Sequence, residues 1–352
     1  MMKAYIIGGG IAGLSAAVGA ADLFDEVLIY EKASEIFAFT SSRNAAMARS
    51  YDPDPLMSVF VKRSLTSLLN EAGLVNSSGL LIRPLEYDYE QATDKRLIPV
   101  EKTLKLPDGS DFSGLWISGN GVLDIEQLKL YYMSILNRKN VKLFLNSHCN
   151  IQTKEKKSIH AIDVMNVLTG QKEHLELQAD DILVNAAGSW AKGLSDMAGA
   201  IQVPLKAYKR HLYVLRQKKP FEPLPIIWDE TRDLYLRPHE DGFLATHCDE
   251  QETFADDYQV DETQQAGFLS AMNSVFPFSR DYPVIDARAC LRTFTMDYRP
   301  IIGFDPVVKN LFWMAGLGPR GMSLSLSLAG LFKVQYLHEK SYLLELAPER
   351  YL

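Results

Sequence analysis

The chain has 352 residues, of which 47% are hydrophobic and 23% charged, and its 37 Lys and Arg against 44 Asp and Glu leave a net charge of −7. That length suits one large domain or two ordinary ones with a substantial core, and the acidic balance gives no reason to expect nucleic acid or an anionic membrane as a general partner. No apolar run reaches the roughly 18 residues of a membrane span, and three scattered cysteines, Cys149, Cys248 and Cys290, make neither a disulfide framework nor a zinc site. A reducing, cytoplasmic setting is expected. Lys3 already enters the first predicted strand, so no signal peptide is expected before it.

Lys3-Ala-Tyr-Ile-Ile-Gly8 reads as a buried strand, residues 11–23 as an Ala-rich helix, and Glu26-Val-Leu-Ile-Tyr30 as a second strand ending on Glu31. Between the first strand and the helix lies Gly8-Gly-Gly10-Ile11-Ala12-Gly13. Glycines at these spacings let a backbone turn approach a pyrophosphate, and the helix N-terminus attracts that anion. An acid about 20 residues on can accept hydrogen bonds from a ribose diol. The strand before, the helix after and Glu31 supply the context the bare glycine pattern lacks, so a dinucleotide is expected here. The motif does not separate NAD from FAD.

A loop follows, Thr40-Ser-Ser42-Arg43-Asn44-Ala-Ala-Met47, and then Pro53 and Pro55 precede a helix over 56–72 closed by Gly73. Residues 79–82 read as a short apolar strand, and 86–113 as a polar, turn-rich separate layer. Asp124 is a good N-cap for a helix over 125–137, and 141–145 is a strand. Residues 158–177 read as two strands about Thr169-Gly170, and 181–185 as a strand running into Ala186-Ala187-Gly188-Ser-Trp190. From 204 to 292 the texture is β-rich, with strand-like runs at 211–215, 234–237 and 242–246. A buried strand at 311–315 leads into Gly316, Gly318 and Gly321. Ser323-Leu-Ser-Leu-Ser-Leu328 then alternates with period two, which favours a strand, but the apolar stretch continues to about residue 344. A helix is expected there, because a glycine turn between strand and helix repeats the anion-site geometry.

Five stretches in order resemble the D-amino acid oxidase superfamily of FAD-dependent oxidoreductases, and together they cover nearly the whole chain. They are Ile7-Gly-Gly-Gly-Ile-Ala-Gly13, Thr40-Ser-Ser-Arg-Asn-Ala-Ala46, Leu183-Val-Asn-Ala-Ala-Gly-Ser-Trp-Ala191, Leu291-Arg-Thr-Phe-Thr-Met-Asp-Tyr-Arg-Pro-Ile-Ile-Gly303 and Leu311-Phe-Trp-Met-Ala-Gly-Leu-Gly-Pro-Arg-Gly-Met322. Trp228-Asp-Glu-Thr-Arg-Asp-Leu-Tyr-Leu-Arg-Pro238 and His247-Cys-Asp-Glu250 are similar to the branch of D-arginine dehydrogenase and glycine oxidase. The resemblance implies an α/β fold with a Rossmann-like FAD-binding domain of the glutathione-reductase type. That domain is expected from residues 1–78, 114–203 and 291–352, interleaved with a β-rich α+β substrate-binding domain from 79–113 and 204–290. It also implies FAD as cofactor and oxidation of the C–N bond of a small amino acid, of D configuration or of glycine or N-methylglycine type, by hydride transfer to flavin N5. The partner is then a small-molecule amino acid or amine, with no nucleic acid and no integral membrane segment. Two alternatives stay open. Gly316-Leu-Gly-Pro-Arg-Gly321 is similar to the oxidoreductase domain of a tRNA wobble-uridine-modifying enzyme, and the second alternative is the flavin subunit of a hetero-oligomeric amino acid dehydrogenase.

Carried over residue by residue, Arg292 matches the arginine that pairs with the substrate carboxylate. A planar guanidinium suits that task because it binds a carboxylate through two parallel hydrogen bonds. The structural alternative for Arg292 is an interdomain salt bridge. Arg210 and Tyr235 match a second carboxylate-binding arginine and a substrate-binding tyrosine. The FAD contacts implied are Gly8, Gly10, Ile11, Ala12, Gly13, Glu31, Lys32, Ser42, Arg43, Asn44, Ala187, Gly188, Trp190, Gly318, Arg320, Gly321 and Met322. The last four would face the flavin pyrimidine edge. Cys290 lies where monomeric sarcosine oxidase carries its flavin-linked cysteine; a buried free thiol is the expectation here. Two departures bear on substrate. D-arginine dehydrogenase has a histidine where Met47 stands, and its guanidinium-binding glutamate falls at Leu85, with Glu86 one place away. The seven histidines show no metal-ligand spacing, and no metal is expected.

Overall fold

The computed structural model describes residues 1–71, 73–85, 94–137, 140–154, 158–216, 224–240, 242–338 and 343–352. Lys3–Ile7 and Glu26–Tyr30 pair in parallel, joined by the helix Ile11–Ala20. Their sheet extends in parallel to Val141–Phe144 on one side and to Ile182–Asn185 and Leu311–Ala315 on the other, where Ile301–Phe304 closes it antiparallel. The inner strands are nearly uninterrupted apolar runs because both faces are covered, whereas the edge strand Val141–Phe144 is half exposed. One face carries the first helix together with Pro55–Asn70, Ile125–Leu136 and Ser325–Leu337. The other carries a three-stranded antiparallel layer, Ser147–Lys154, Ser158–Asn166 and Lys172–Glu176.

The helix starts follow from local chemistry. Asp54 Oδ1 accepts from the amides of Leu56 (2.9 Å) and Met57 (3.3 Å) with Pro55 in the first turn, and Asp124 Oδ1 accepts from Gln127 N at 2.9 Å. The helix expected over 56–72 runs Pro55–Asn70; Ala72 lies outside the described residues, and Gly73 follows at φ +81°. The glycine turn after Leu311–Ala315 does lead into a helix, Ser325–Leu337, shorter than the stretch to 344. The hairpin about Thr169-Gly170 forms as read.

The second sheet is mixed. Val284–Phe294 lies along the long strand Lys206–Arg216, which also pairs with Gln251–Thr253 and Gly242–Thr246. Leu234–His239, Ile226–Asp229, Leu80–Arg83, Asp111–Ile117 and Val100–Lys105 follow in that order. Cross-strand partners share a face. One face therefore carries Arg292 and Cys290, their partners Tyr208 and Arg210, and the pair Tyr235 and Trp228. The opposite face, with Tyr213, Leu215, Leu236 and Phe243, is packed under the helix Gln264–Val275 through Phe268 and Met272.

Three expectations need correction. The β-rich stretch from 204 to 292 contains that helix, whose buried Phe268 and Met272 are one turn apart. The loop at 40–47 contains a single helical turn, Thr40–Arg43, and the strand Met47–Ala48. In the polar stretch 86–113, Val100–Lys105 is not a separate layer but the last strand of the second sheet, polar because one edge and most of its side chains face water. Glu86 lies outside the described residues.

Asp305, 3% exposed, ties the end of the first sheet together: it accepts from the amides of Ile201 (3.1 Å), Val307 (2.9 Å) and Val308 (2.7 Å) and from Trp313 Nε1 (2.9 Å). Asp305→Ala leaves four donors without this acceptor and is expected to cost about 3 kcal/mol or more. A lower urea midpoint at unchanged slope checks this; a midpoint within error of the parent contradicts it.

Candidate active site

At Gly8, φ is +115° and a Cβ would stand 2.4 Å from Ala186 O; at Gly13 it would stand 1.8 Å from Gly8 O. Only glycine lets the strand, the helix and the neighbouring strand end meet this closely. The helix begins at Gly10, which offers no side-chain cap; Ser41 Oγ instead accepts from Ile11 N at 3.0 Å. The amides of Ala12 and Gly13 follow in the first turn, where the helix itself supplies no acceptor. Glu31, 5% exposed, accepts from Gly9 N (2.7 Å) and Ala33 N (2.8 Å). Its carboxylate is thereby fixed at the strand end with lone pairs left for hydroxyl donors. A close-approach turn, open amides and an oriented acid fit the diphosphate and ribose of a dinucleotide.

From this turn a cavity of about 400 Å³ runs to the charged face of the second sheet. One side is Gly10, Ile11 and Ala12 with the Gly316–Met322 turn; the other includes Arg210, Tyr235, Cys290 and Arg292. Arg292, 6% exposed, donates through Nη2 to Asp249 O (3.3 Å) and Glu250 Oε1 (3.2 Å), while its buried Nε has no partner among the described residues. Arg210 Nη2 donates to Cys248 O at 2.9 Å and lies 3.5 Å from the same Glu250 oxygen. Burial first, and the facing Arg210 second, bring the Arg292 guanidinium down to about 10. Burial also pushes the phenol of Tyr235 and the thiol of Cys290 up, so both are protonated at neutral pH.

A second charged group braces the cavity. Arg320 holds Asp52 through two hydrogen bonds (Nε–Oδ2 2.8 Å, Nη2–Oδ1 2.9 Å), and Arg49 Nη2 reaches the same carboxylate at 3.1 Å. The two arginines keep the Asp52 carboxyl below its usual range against the opposing effect of burial. Thr40 Oγ1 donates to Leu291 O at 2.7 Å, fastening the loop of the first sheet to the strand that carries Arg292.

Of the residues expected at the site, Gly10, Ile11, Ala12, Asn44, Gly188, Arg210, Tyr235, Arg292, Gly318, Arg320, Gly321 and Met322 line this one cavity. Gly8, Gly13 and Glu31 shape the turn beneath it. Lys32, Ser42, Arg43, Ala187 and Trp190 do not line it. Lys32 Nζ lies 3.3 Å from the Trp190 ring centroid, Arg43 stacks over Tyr258, and Ser42 Oγ donates to Phe39 O. The Arg320 side chain is committed to Asp52, so what it presents along the cavity is the backbone of its turn. Asn44 shapes the loop: it donates to Thr40 O and Ser41 O and accepts from Ala46 N, holding Ala46 at φ +52°.

Sequence reading missed Ser41, one place before the serine it chose. It also missed the partners of the arginines, Glu250 and Asp52, and the buried Glu230, which lines the cavity and accepts from Tyr51 Oη at 2.6 Å. Glu230 and Glu250 stand inside stretches singled out for their resemblance, but no local signal marks a carboxylate that will meet a side chain from another strand.

Comparison with known proteins agrees with this geometry. A D-amino acid dehydrogenase of Vibrio vulnificus (strain YJ016) is 30% identical over 152 residues, 43% of this chain and 35% of that protein, so the match spans about a third of the relative. Mouse mitochondrial sarcosine dehydrogenase is 27% identical over 173 residues, 46% of this chain and 18% of that one. Among solved structures, iminodiacetate oxidase from Chelativorans sp. BNC1 superposes with a TM-score of 0.75 at 19% identity, over 98% of each chain. L-proline dehydrogenase from P. horikoshii superposes with a TM-score of 0.77 at 17% identity, over 98% of this chain and 95% of that one. At those identities the likeness is one of fold. The family model described as FAD dependent oxidoreductase matches residues 3–332. The chain therefore belongs to the DAO family of FAD-dependent oxidoreductases, an enzyme family, and its dinucleotide is FAD.

Proposed function

We propose that this enzyme oxidises the C–N bond of a small amino acid, of D configuration or of glycine or N-methylglycine type. The observation that carries the reading is the pair Arg210 and Arg292, the first with its side chain 12% exposed and the second buried, beside the buried Tyr235 on the cavity wall opposite the glycine turns. The four relatives and structural neighbours named above act on amino acids or amines, which supports it. In this proposal residues 1–78, 114–203 and 291–352 hold FAD and 79–113 and 204–290 hold substrate, except that the end of the second-sheet strand Val284–Phe294 brings Arg292 to the substrate side. The protein works in the cytoplasm; among the described residues no helix is long and apolar enough to cross a membrane.

The turn at Gly8–Gly13, with Glu31, would hold the diphosphate and ribose, and the backbone of Gly316–Met322 would line the ring system. FAD, when bound, would supply the hydride acceptor for oxidation of the C–N bond to an imine, which water hydrolyses. The chain's own part is positioning. Arg292, with its free Nε and its Nη2, takes the substrate carboxylate in two hydrogen bonds, and Arg210 adds a second positive charge. Tyr235, kept protonated, can donate to the substrate carboxylate. Fixing the carboxylate fixes the direction of Cα, which is the main requirement for transfer between two bound groups. No side-chain base is assigned; the amine reacts in its neutral form.

Anaerobic mixing of the yellow holoenzyme with candidate amino acids tests the reading. Bleaching of the flavin by one or more members of the proposed class is expected, and no bleaching by any of them between about pH 7 and 10 contradicts it. Arg292→Ala is expected to raise KM at least about tenfold with FAD content intact, since a charge-assisted contact is worth roughly 1.5–3 kcal/mol; unchanged kinetics would assign Arg292 to structure alone. Because Cys290 is buried and protonated, acid precipitation is expected to release the FAD; colour remaining with the protein would show a covalent link. The pH dependence follows from Arg292. Its guanidinium is charged below about 10 and loses its proton as pH rises through that value. Affinity for an unreactive carboxylate without an amine is thus expected to be flat up to about pH 9, then to fall about tenfold per unit above 10. Affinity constant to pH 11 would place the anion elsewhere.

A further inference from the structure

We propose that Glu250 is an internal stand-in for the substrate carboxylate: it neutralises Arg210 and Arg292 in the free enzyme and leaves them when substrate arrives. This rests on the amino acid reading above. A single oxygen, Oε1, straddles the two guanidinium groups, 3.2 Å from Arg292 Nη2 and 3.5 Å from Arg210 Nη2. That contact engages one donor of each fork. The buried Nε of Arg292 keeps no partner, so Glu250 holds less of the fork than a bidentate carboxylate would.

The surroundings let the side chain move without the chain. Glu250 belongs to the irregular segment 247–250 between the strands Gly242–Thr246 and Gln251–Thr253. That segment is anchored by its other groups. Asp249 Oδ2 lies 2.7 Å from His211 Nδ1, and Asp249 Oδ1 accepts from His211 N at 3.0 Å. Cys248 O and Asp249 O accept from Arg210 at 2.9 and 3.4 Å, and Asp249 O also accepts from Arg292 at 3.3 Å. The arginines are thus positioned by backbone carbonyls, whether or not the Glu250 side chain is present. That side chain is 36% exposed, so rotation takes it into water. An anion is favoured there, because burial and the facing Arg210 charge pull Arg292 down to about 10, while Arg210 itself is held above its usual value. Glu250 meets that need in the free enzyme and the substrate carboxylate meets it in the complex, which makes the two competitors for one position.

Glu250→Gln keeps the shape and removes the competing charge. With the holoenzyme, KM for the best amino acid and the dissociation constant of acetate, read from perturbation of the flavin absorbance, are both expected to fall about fivefold, with the effect on KM rather than kcat. Glu250→Ala is expected to do the same. A rise in either constant, as for Arg292→Ala, would show that Glu250 orients the arginines or holds the substrate amine; a loss confined to kcat would place it in the reaction; no change would make the contact incidental. Each of these three overturns the proposal. The acetate titration also separates the two readings: if no amino acid bleaches the flavin but acetate still binds more tightly to Glu250→Gln, the function fails and the stand-in survives.

Discussion

Two guanidinium groups buried side by side need an anion, and most of the cavity can be understood from that need. Arg210 and Arg292 stand on adjacent antiparallel strands, on the face turned toward the glycine turns. Burying them costs hydration that only a partner can replace. The fold supplies backbone carbonyls at Cys248 and Asp249 and one carboxylate oxygen from Glu250, and leaves Arg292 Nε unsatisfied. A surface that binds its own carboxylate incompletely is one that can bind another.

The contrast with Arg320 sharpens the point. Its guanidinium is also buried, but Asp52 takes two of its hydrogen bonds and is held in turn by Arg49. A buried pair of this quality is a brace: breaking it by removing one partner leaves a charge uncompensated. It holds the turn Gly316–Met322, whose backbone would line the flavin, against the segment before the helix Pro55–Asn70. The same cavity thus has one wall whose charges are satisfied internally and one whose charges are not, and chemistry is expected at the second.

Legibility in the sequence followed range. The Gly8–Gly13 turn, Glu31 and the cap Asp124 were readable because each works on neighbours within a few residues or within one strand–helix–strand unit; the cap Asp54, between two prolines, was passed over. The helix Gln264–Val275 was missed because it is embedded in strands and its buried face is little more than Phe268 and Met272. Arg292 and Arg210 were readable by resemblance, but their meeting depends on the register that sets Arg210 against Cys290. Glu250 and Asp52 were not readable as partners of Arg292 and Arg320, which lie 42 and 268 residues away, and Arg49 three residues before Asp52 does not by itself mark a buried pair.

The most direct measurement is a crystal structure of the FAD-bound enzyme soaked with acetate. The carboxylate is expected on Arg292 through Nε and Nη2, beside Arg210, with the Glu250 side chain turned away into solvent and the 247–250 backbone in place. Acetate bound elsewhere, with Glu250 still on both arginines, would contradict the assignment of this wall as the substrate carboxylate site.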